Sequence, residues 1–94
     1  MMNRLYSFGA LDYALVKLSL LGAKELSVVN HIRKIREEKK IPQKEMARVL
    51  EVSRQTMTAI EKGKYNPSLE LSLKIAAYFD MPFDEIFYLE EGKG

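Results

Sequence analysis

Residues 43–64 read QKEMARVLEVSRQTMTAIEKGK, and this stretch decides the fold. It predicts two short helices with a tight turn between them, because apolar residues recur at helical spacing on both sides of Val52. Ser53 is placed to cap the second helix, whose inward residues Met57 and Ile60 share one face. The inward residues of the first helix are Met46, Ala47 and Leu50. This layout is typical of a helix-turn-helix, whose second helix enters the major groove of DNA and reads bases with its N-terminal residues.

The composition fits one small domain of 94 residues. The chain has no cysteine and one histidine, which excludes disulfides, zinc fingers, thiol catalysis and multi-histidine metal centres. The sequence contains no nucleophile–base pair, phosphate loop or metal-ligand set, so we expect neither an enzyme nor a cofactor. Residues 30–64 carry 10 basic and 5 acidic side chains, whereas residues 65–94 carry 2 and 6. This uneven distribution would attract a polyanion to the helix-turn-helix.

The first 29 residues are richer in leucine, alanine, valine and aromatic residues than the rest of the chain. Their spacing predicts an amphipathic helix over residues 10–21, ended by Gly22. The apolar residues that recur at helical spacing in this segment are Phe8, Leu11, Leu15 and Leu18. Asp12 and Lys17 interrupt the apolar run, so we expect neither a transmembrane helix nor a signal peptide. A docking or dimerising helix is one interpretation of this segment.

Three further segments are expected around the central stretch. A helix over residues 30–40 begins at Asn30 as its cap and turns Ile32 and Ile35 inward. Residues 63–67 form a loop. Ser68 then caps a helix that is apolar on most sides, as expected of a central core helix.

The end of the chain is expected to be helical and then irregular. Residues 83–89 predict a short fifth helix, because Phe83, Ile86 and Phe87 recur at helical spacing. Residues 90–94 form a polar tail.

Residues 30–89 resemble the Xre-type, lambda-repressor-like helix-turn-helix domain of bacterial and phage transcription regulators. The residues that carry the resemblance read IRKIREEKKIPQKEMARVLEVSRQTMTAIEKGKYNPSLELSLKIAAYFDMPFDEIF. The likeness is greatest to short single-domain members. It implies an all-α domain of five helices, with an extension over residues 1–29 and a tail at 90–94.

The resemblance implies a role for individual positions. Contacts with bases or along the reading face fall to Arg54, Gln55, Thr56, Thr58 and Ala59. Contacts with phosphates fall to Gln43, Ser53, Lys62, Lys64, Tyr65 and Asn66, and Gln43 also braces the reading helix. Arg36 and Glu61 match a partly buried ion pair that ties the first helix to the third. The chemistry agrees, because arginine pairs bidentately with guanine and glutamine with adenine, each good pair giving about 1–3 kcal/mol of discrimination.

Six positions depart from the family pattern, among them Ala59, which stands where some relatives use a long polar base reader. Many relatives have glycine where this chain has Lys40, Glu51 and Asp80, so a left-handed backbone is expected there at a cost of about 1 kcal/mol, less for aspartate. Pro42 and Pro82 replace a capping serine or threonine, so both following helices lose a side-chain cap. The fold tolerates these changes, and they leave the recognised base sequence open.

These observations predict a sequence-specific regulator of transcription that binds double-stranded DNA, a repressor acting as a two-fold dimer on a pseudo-palindromic operator. We expect it in the cytoplasm with the nucleoid, with no membrane partner and no small-molecule effector. The candidate dimer contacts are Phe83, Phe87, Tyr88 and Leu89, with core packing as the alternative for the two phenylalanines. The alternative function is an antitoxin or interaction module that also regulates its own operon, with residues 1–29 as the partner-binding arm.

A second interpretation of the N-terminal segment concerns where translation starts. In many relatives the domain begins near Val29-Asn30. Valine can be encoded by the start codon GTG, and Lys24-Glu25 by AAGGAG, a ribosome-binding sequence. Residues 1–28 are therefore also interpreted as a mis-assigned upstream extension, which N-terminal sequencing of protein from the native host would test.

Overall fold

The computed structural model describes Lys17, Gly22 and residues 26–91, so the helix predicted over residues 10–21 falls outside the described part except at Lys17. The described elements are β1 (Leu26–Asn30), α1 (Ile32–Glu38), α2 (Gln43–Leu50), α3 (Arg54–Glu61), α4 (Leu69–Phe79), a 3₁₀ turn (Phe83–Glu85) and β2 (Phe87–Glu91). Residues 29–88 form one compact unit, while Val28 and Leu89 belong to a second. Within the described residues, no helix has the length and apolar character needed to cross a membrane.

Short polar side chains accept main-chain N–H groups at the starts of α1, α3 and α4. Ser53 Oγ accepts the N–H of Thr56 at 3.0 Å, and Ser68 Oγ accepts the N–H of Leu71 at 3.1 Å, so both predicted caps are present. Asn30, which was predicted to cap a helix over residues 30–40, instead ends β1, and His31 is the N-cap of α1 (Ile32–Glu38). Asn30 Oδ1 still accepts the N–H of Ile32 at 3.0 Å and stabilises the start of α1. Each such bond satisfies a donor that a helix leaves unpaired at its first turn.

Left-handed residues end three of the helical segments, as expected from the departures in sequence. Lys40, Glu51 and Asp80 have φ angles of 58°, 60° and 57°. After each of them, the next N–H turns back to the helix it follows; that of Val52, for example, donates to Ala47 O at 3.0 Å. The geometry satisfies carbonyls at the helix ends, at the cost of placing a side chain where glycine is favoured.

The core of the compact unit is formed by apolar side chains from every helix and from the start of β2. The buried residues are Ile32, Ile35, Met46, Ala47, Leu50, Met57, Ile60, Ile75, Phe79, Ile86 and Phe87. Burying side chains of this size contributes about 1.5–3 kcal/mol each. α4 enters this core on one face only, because Leu69 and Leu73 remain 71% and 53% exposed. α4 was predicted to be a central core helix; its face with Ile75 and Phe79 is buried, whereas the face with Leu69 and Leu73 is exposed.

Residues 83–89 do not form the predicted fifth helix, and over residues 26–91, as the structure describes them, the all-α, five-helix prediction is corrected to four α-helices with a small sheet. Residues 83–85 form a single 3₁₀ turn, and residues 87–91 form β2, which pairs with β1. The N–H of His31, just after β1, donates to the carbonyl of Ile86, just before β2, at 2.9 Å. The end of β1 thus lies beside the start of β2, so the two strands are antiparallel.

The misassignment has a physical cause. Helical and extended segments cannot be separated by periodicity in an apolar run this short, and a pairing partner some 60 residues earlier decides the outcome. Phe83, which was expected to face inward, is 41% exposed and stacks on Phe87 with 4.9 Å between ring centroids. Glu90 and Glu91, assigned to the polar tail, lie in β2.

Candidate nucleic-acid interface

The exposed side of α3 forms a shallow depression of about 390 Å³. Its lining residues are Gln43, Arg54, Gln55, Thr58, Ala59, Lys62 and Lys64. All seven were singled out from the sequence, four as base-reading candidates and three as phosphate-binding candidates. Three of them are cationic and none is acidic. The fold therefore brings the start of α2, the exposed side of α3 and the following loop into one basic surface.

Arg54 and Gln55 are the first two residues of α3, and both are exposed. Among the residues that the structure describes, neither side chain makes a hydrogen bond within the protein. Their guanidinium and carboxamide groups are therefore available to a ligand. Ala59 is half-buried in the same depression and offers a methyl group of the kind that contacts thymine.

Ser53 and Thr56 share a local hydrogen-bond pair at the start of α3. Their hydroxyl oxygens are 2.9 Å apart, and Ser53 Oγ also accepts the main-chain N–H of Thr56. Because one hydroxyl proton is used in this pair, the two side chains together can offer DNA one proton rather than two. Neither residue lines the depression, so both lie beside it rather than within it.

Gln43 joins the first helix of the motif to the reading helix. Its Nε2 donates to Thr58 Oγ1 at 3.1 Å and to Glu61 Oε1 at 3.2 Å. The carboxylate can only accept, so the amide nitrogen must face it, and both amide hydrogens are engaged. The side chain of Gln43 is left with its oxygen, which phosphate would repel. Its structural position is therefore that of a brace, and a phosphate contact would fall to its main-chain N–H.

Glu61 also anchors α3 to α1 through Arg36. Arg36 Nε donates to Glu61 Oε2 at 2.8 Å and its second terminal nitrogen to Oε1 at 3.2 Å, a bidentate pair. The side chains are 11% and 4% exposed. The hydrogen bonds that Arg36 donates to Glu61 raise the pKa of Arg36 above its ordinary value, so its charge is permanent. Removing one partner would leave the other charge buried, which typically costs about 3–5 kcal/mol.

The loop after α3 extends the basic surface. Gly63 has a φ of 76°, and no atom would contact a Cβ added there, so the backbone conformation rather than space calls for glycine. The N–H of Lys64 turns back to Ala59 O at 2.9 Å, which places the loop against the end of α3. Lys62, Lys64, Tyr65 and Asn66 are all exposed, with Tyr65 at 51%.

The candidate dimer residues are divided between core and surface. Phe87 is 6% exposed and belongs to the core, and Tyr88 is half-buried and stacks on His31 with 4.9 Å between centroids. Phe83 and Leu89 are 41% and 38% exposed. The accessible apolar surface in this group is therefore that of Phe83 and Leu89.

A second depression, of about 530 Å³, lies along α1 and has a different character. Its lining residues are Asn30, His31, Arg33, Lys34, Glu37 and Glu38. Charges of both signs meet there, and Arg33 pairs with Glu37 at 3.0 Å. In the described part of the chain, no cluster of three or more histidine or acidic side chains could hold a metal ion. The depression at α3 therefore has the composition that suits a polyanion.

This chain is similar to known helix-turn-helix proteins. The family described as Helix-turn-helix matches residues 32–86. An uncharacterized HTH-type transcriptional regulator of Methanocaldococcus jannaschii is 45% identical over 62 residues, which are 66% of this chain and 94% of that protein. The uncharacterized HTH-type transcriptional regulator YgzD of Bacillus subtilis is 42% identical over 62 residues with the same coverage. The crystal structure of a candidate DNA-binding protein from Bacteroides fragilis shares the fold, with a TM-score of 0.61 and 21% identity, covering 65% of this chain and 98% of that one.

Proposed function

The chain belongs to the Xre-like helix-turn-helix family of DNA-binding transcriptional regulators, and from that premise we propose that it represses transcription by binding a pseudo-palindromic operator as a two-fold dimer. The observation that carries the proposal is the pair Arg54 and Gln55. Both are exposed at the N-terminus of α3 and, among the described residues, unused by the fold.

Sequence reading is assigned to the first turn of α3 and the residues that follow on the same surface. Arg54 can donate two hydrogen bonds to guanine, and Gln55 can donate to and accept from adenine. Thr56 supplies the one hydroxyl proton left by its pairing with Ser53. Thr58 and Ala59 complete the reading surface further along the helix.

Binding to DNA of any sequence is assigned to the end of α3 and the loop that follows it. Lys62 and Lys64 line the depression, and Tyr65 and Asn66 are exposed in the loop beyond it. Lysine contacts with phosphates release counterions, so each should contribute to the salt dependence of binding. The acidic character of residues 65–94 as a whole would keep the rest of that half away from DNA.

Two-fold symmetry is proposed because one reading helix covers only a half-site. Two copies whose reading helices lie one DNA turn apart, ~34 Å, would read a pseudo-palindrome. Where such a site overlaps a promoter, occupying it blocks polymerase, so repression of this kind requires no effector. A protein with this function works where the genome is, and we place it in the cytoplasm with the nucleoid.

The test is selection of bound sequences from a random DNA library, followed by measurement of affinity for the selected operator and for unrelated DNA. Arg54→Ala and Gln55→Ala should each reduce the preference for the operator by about 1–3 kcal/mol, with unchanged circular dichroism. Lys34→Ala is the matched control, because it removes a cation from the other depression.

Two results would overturn the proposal. One is a selection that enriches no sequence above unrelated DNA. The other is an operator preference that Arg54→Ala and Gln55→Ala leave at the wild-type value.

A further inference from the structure

The two strands outside the helices form an unusually accessible small sheet. Antiparallel pairing with His31 N–H bonded to Ile86 O places Val28 directly opposite Leu89. These two apolar side chains are 41% and 38% exposed, and cross-strand partners lie on the same face of a sheet. Within the described residues the sheet contains two strands, so each has one edge without a neighbouring strand.

Among its own five residues, β1 has no feature that would prevent another strand from joining its free edge. β1 reads LSVVN, with no charged residue and no proline, and two adjacent valines favour extended backbone. Natural edge strands usually carry lysine, other charges, proline or a bulge that blocks such pairing. Because His31 directs its N–H towards β2 and successive residues alternate between edges, Leu26, Val28 and Asn30 direct their main-chain groups to the free edge.

β2 differs from β1 in this respect. It reads FYLEE, and Glu90 and Glu91 are exposed. Pairing two copies through β2 would bring these carboxylates together across a two-fold axis, which is unfavourable. Of the two edges, β1 is therefore the one suited to an identical partner.

We propose that a second copy of this chain adds its β1 to the free edge of β1, antiparallel and centred on Val28. The product is a continuous four-stranded sheet in the order β2-β1-β1-β2, with Val28 and Leu89 of both copies on one face. A two-stranded sheet is marginal alone, whereas three or more strands with an apolar face are stable. This inference deepens the proposed function, since it rests on the two-fold dimer and names its contact surface.

The pairing makes the dimer isologous. Each copy offers the same five residues, and Val28 meets its own counterpart at the axis in a hydrogen-bonded pair. The contact is small, so we expect a reversible dimer in the micromolar range that DNA binding reinforces. Phe83 and the buried Phe87 are then outside the interface, and of the four candidate dimer residues Leu89 is the one that takes part.

The experiment is sedimentation equilibrium of the full chain without DNA, for wild type, Val28→Lys and Val49→Lys. Val28→Lys puts two ammonium groups at the axis and should weaken the dimer by about tenfold or more. Val49→Lys is the matched control, because Val49 is 43% exposed on α2 and outside the sheet, and its dimer should match the wild type. Circular dichroism of each variant shows whether the fold is retained.

A second measurement does not depend on destabilising the dimer. The chain contains no cysteine, so Val28→Cys introduces a single thiol. Opposite residues in a hydrogen-bonded antiparallel pair have Cα atoms about 5.5 Å apart, within the range of a disulfide. Oxidation with copper phenanthroline should therefore link Val28→Cys into a covalent dimer rapidly, whereas Val49→Cys should remain largely unlinked.

The outcomes separate the strand pairing from the proposed function. A wild-type chain that stays monomeric up to ~1 mM, or a Val28→Lys dimer as tight as the wild type, overturns the strand pairing. A dimer that Val28→Lys disrupts but that selects no DNA sequence overturns the proposed function and supports the strand pairing. An operator-binding dimer that Val28→Lys leaves intact supports the function and overturns the strand pairing.

Discussion

Lys39 and Lys40 provide a matched test of backbone strain, because they are adjacent lysines that differ in conformation. Lys39 ends α1 with a φ of −88°, whereas Lys40 has a φ of 58°. Both are exposed, and among the described residues neither side chain makes a hydrogen bond. Replacing either by glycine removes the same charge from the same end of the helix, so the electrostatic change nearly cancels between the two variants.

The expected effects have opposite signs. A left-handed conformation costs a non-glycine residue about 1–2 kcal/mol, and glycine costs about 0.5–1 kcal/mol in unfolded-chain entropy. Lys40→Gly removes the strain of the left-handed conformation but adds the entropy cost of glycine, so it should raise the free energy of unfolding by about 0.5–1 kcal/mol. Lys39→Gly incurs only the second and should lower it by about 0.5–1 kcal/mol.

The assay is urea unfolding followed by circular dichroism at low protein concentration, where dimerisation does not contribute. The two variants should differ by about 1–2 kcal/mol with equal m-values, or by roughly 4–16 °C in Tm for a domain of this size. Shifts of the same sign in both variants would refute the assignment of strain to Lys40, because only the conformation distinguishes the two positions.

Three further predictions concern the ion pair, a helix cap and the loop. Glu61→Met should lower the free energy of unfolding by about 3–5 kcal/mol, because it leaves the Arg36 charge unpaired in the interior, and the double variant with Arg36→Met should regain most of that loss. Urea unfolding of both single variants and the double variant gives the coupling energy, and losses that simply add would contradict the buried pair. Ser68→Ala should cost about 1 kcal/mol through the lost bond to the Leu71 N–H, measured by Tm, and an unchanged Tm would exclude a capping role. Lys64→Ala should weaken binding to operator and unrelated DNA alike and reduce the salt slope by about 1, measured by titration at several salt concentrations; a loss confined to the operator would instead make it a base contact.

The helix-turn-helix could be predicted from sequence because its signals are local. The caps at Ser53 and Ser68 depend on residues within a few positions of one another, and the three-residue spacing of Met57 and Ile60 specifies one helix face. The left-handed positions were expected from the family resemblance, because many relatives have glycine where this chain has Lys40, Glu51 and Asp80, and all three have positive φ angles.

The sheet was missed because its signal is not local. β1 looked like the end of a hydrophobic extension, and β2 looked like the continuation of a helix that begins at Phe83. Each strand has five residues, too few for alternation to outweigh helical spacing. What decides both is their pairing across the whole domain, and a single sequence does not reveal such a pairing.

The residues of the candidate site could be predicted from the sequence, but the hydrogen bonds that each side chain makes could not. The resemblance implied that Gln43 contacts a phosphate and braces the reading helix, but not which groups it would bond; its amide nitrogen donates to Thr58 and Glu61. That assignment depends on which groups lie within 3.2 Å of the amide, which follows from the crossing of α2 and α3. Packing of one helix on another determines such contacts, and helical periodicity alone does not.

α3 contains two groups of residues that are under different constraints during evolution. Glu61 is committed to the interior through Arg36 and Gln43, so substitutions there are removed by their effect on folding. Arg54 and Gln55 have no such commitment, and a duplicated gene could exchange them without loss of stability. If the proposed function holds, operator preference can change through these two positions while the scaffold stays unchanged, and we expect paralogues to differ there before they differ in the core.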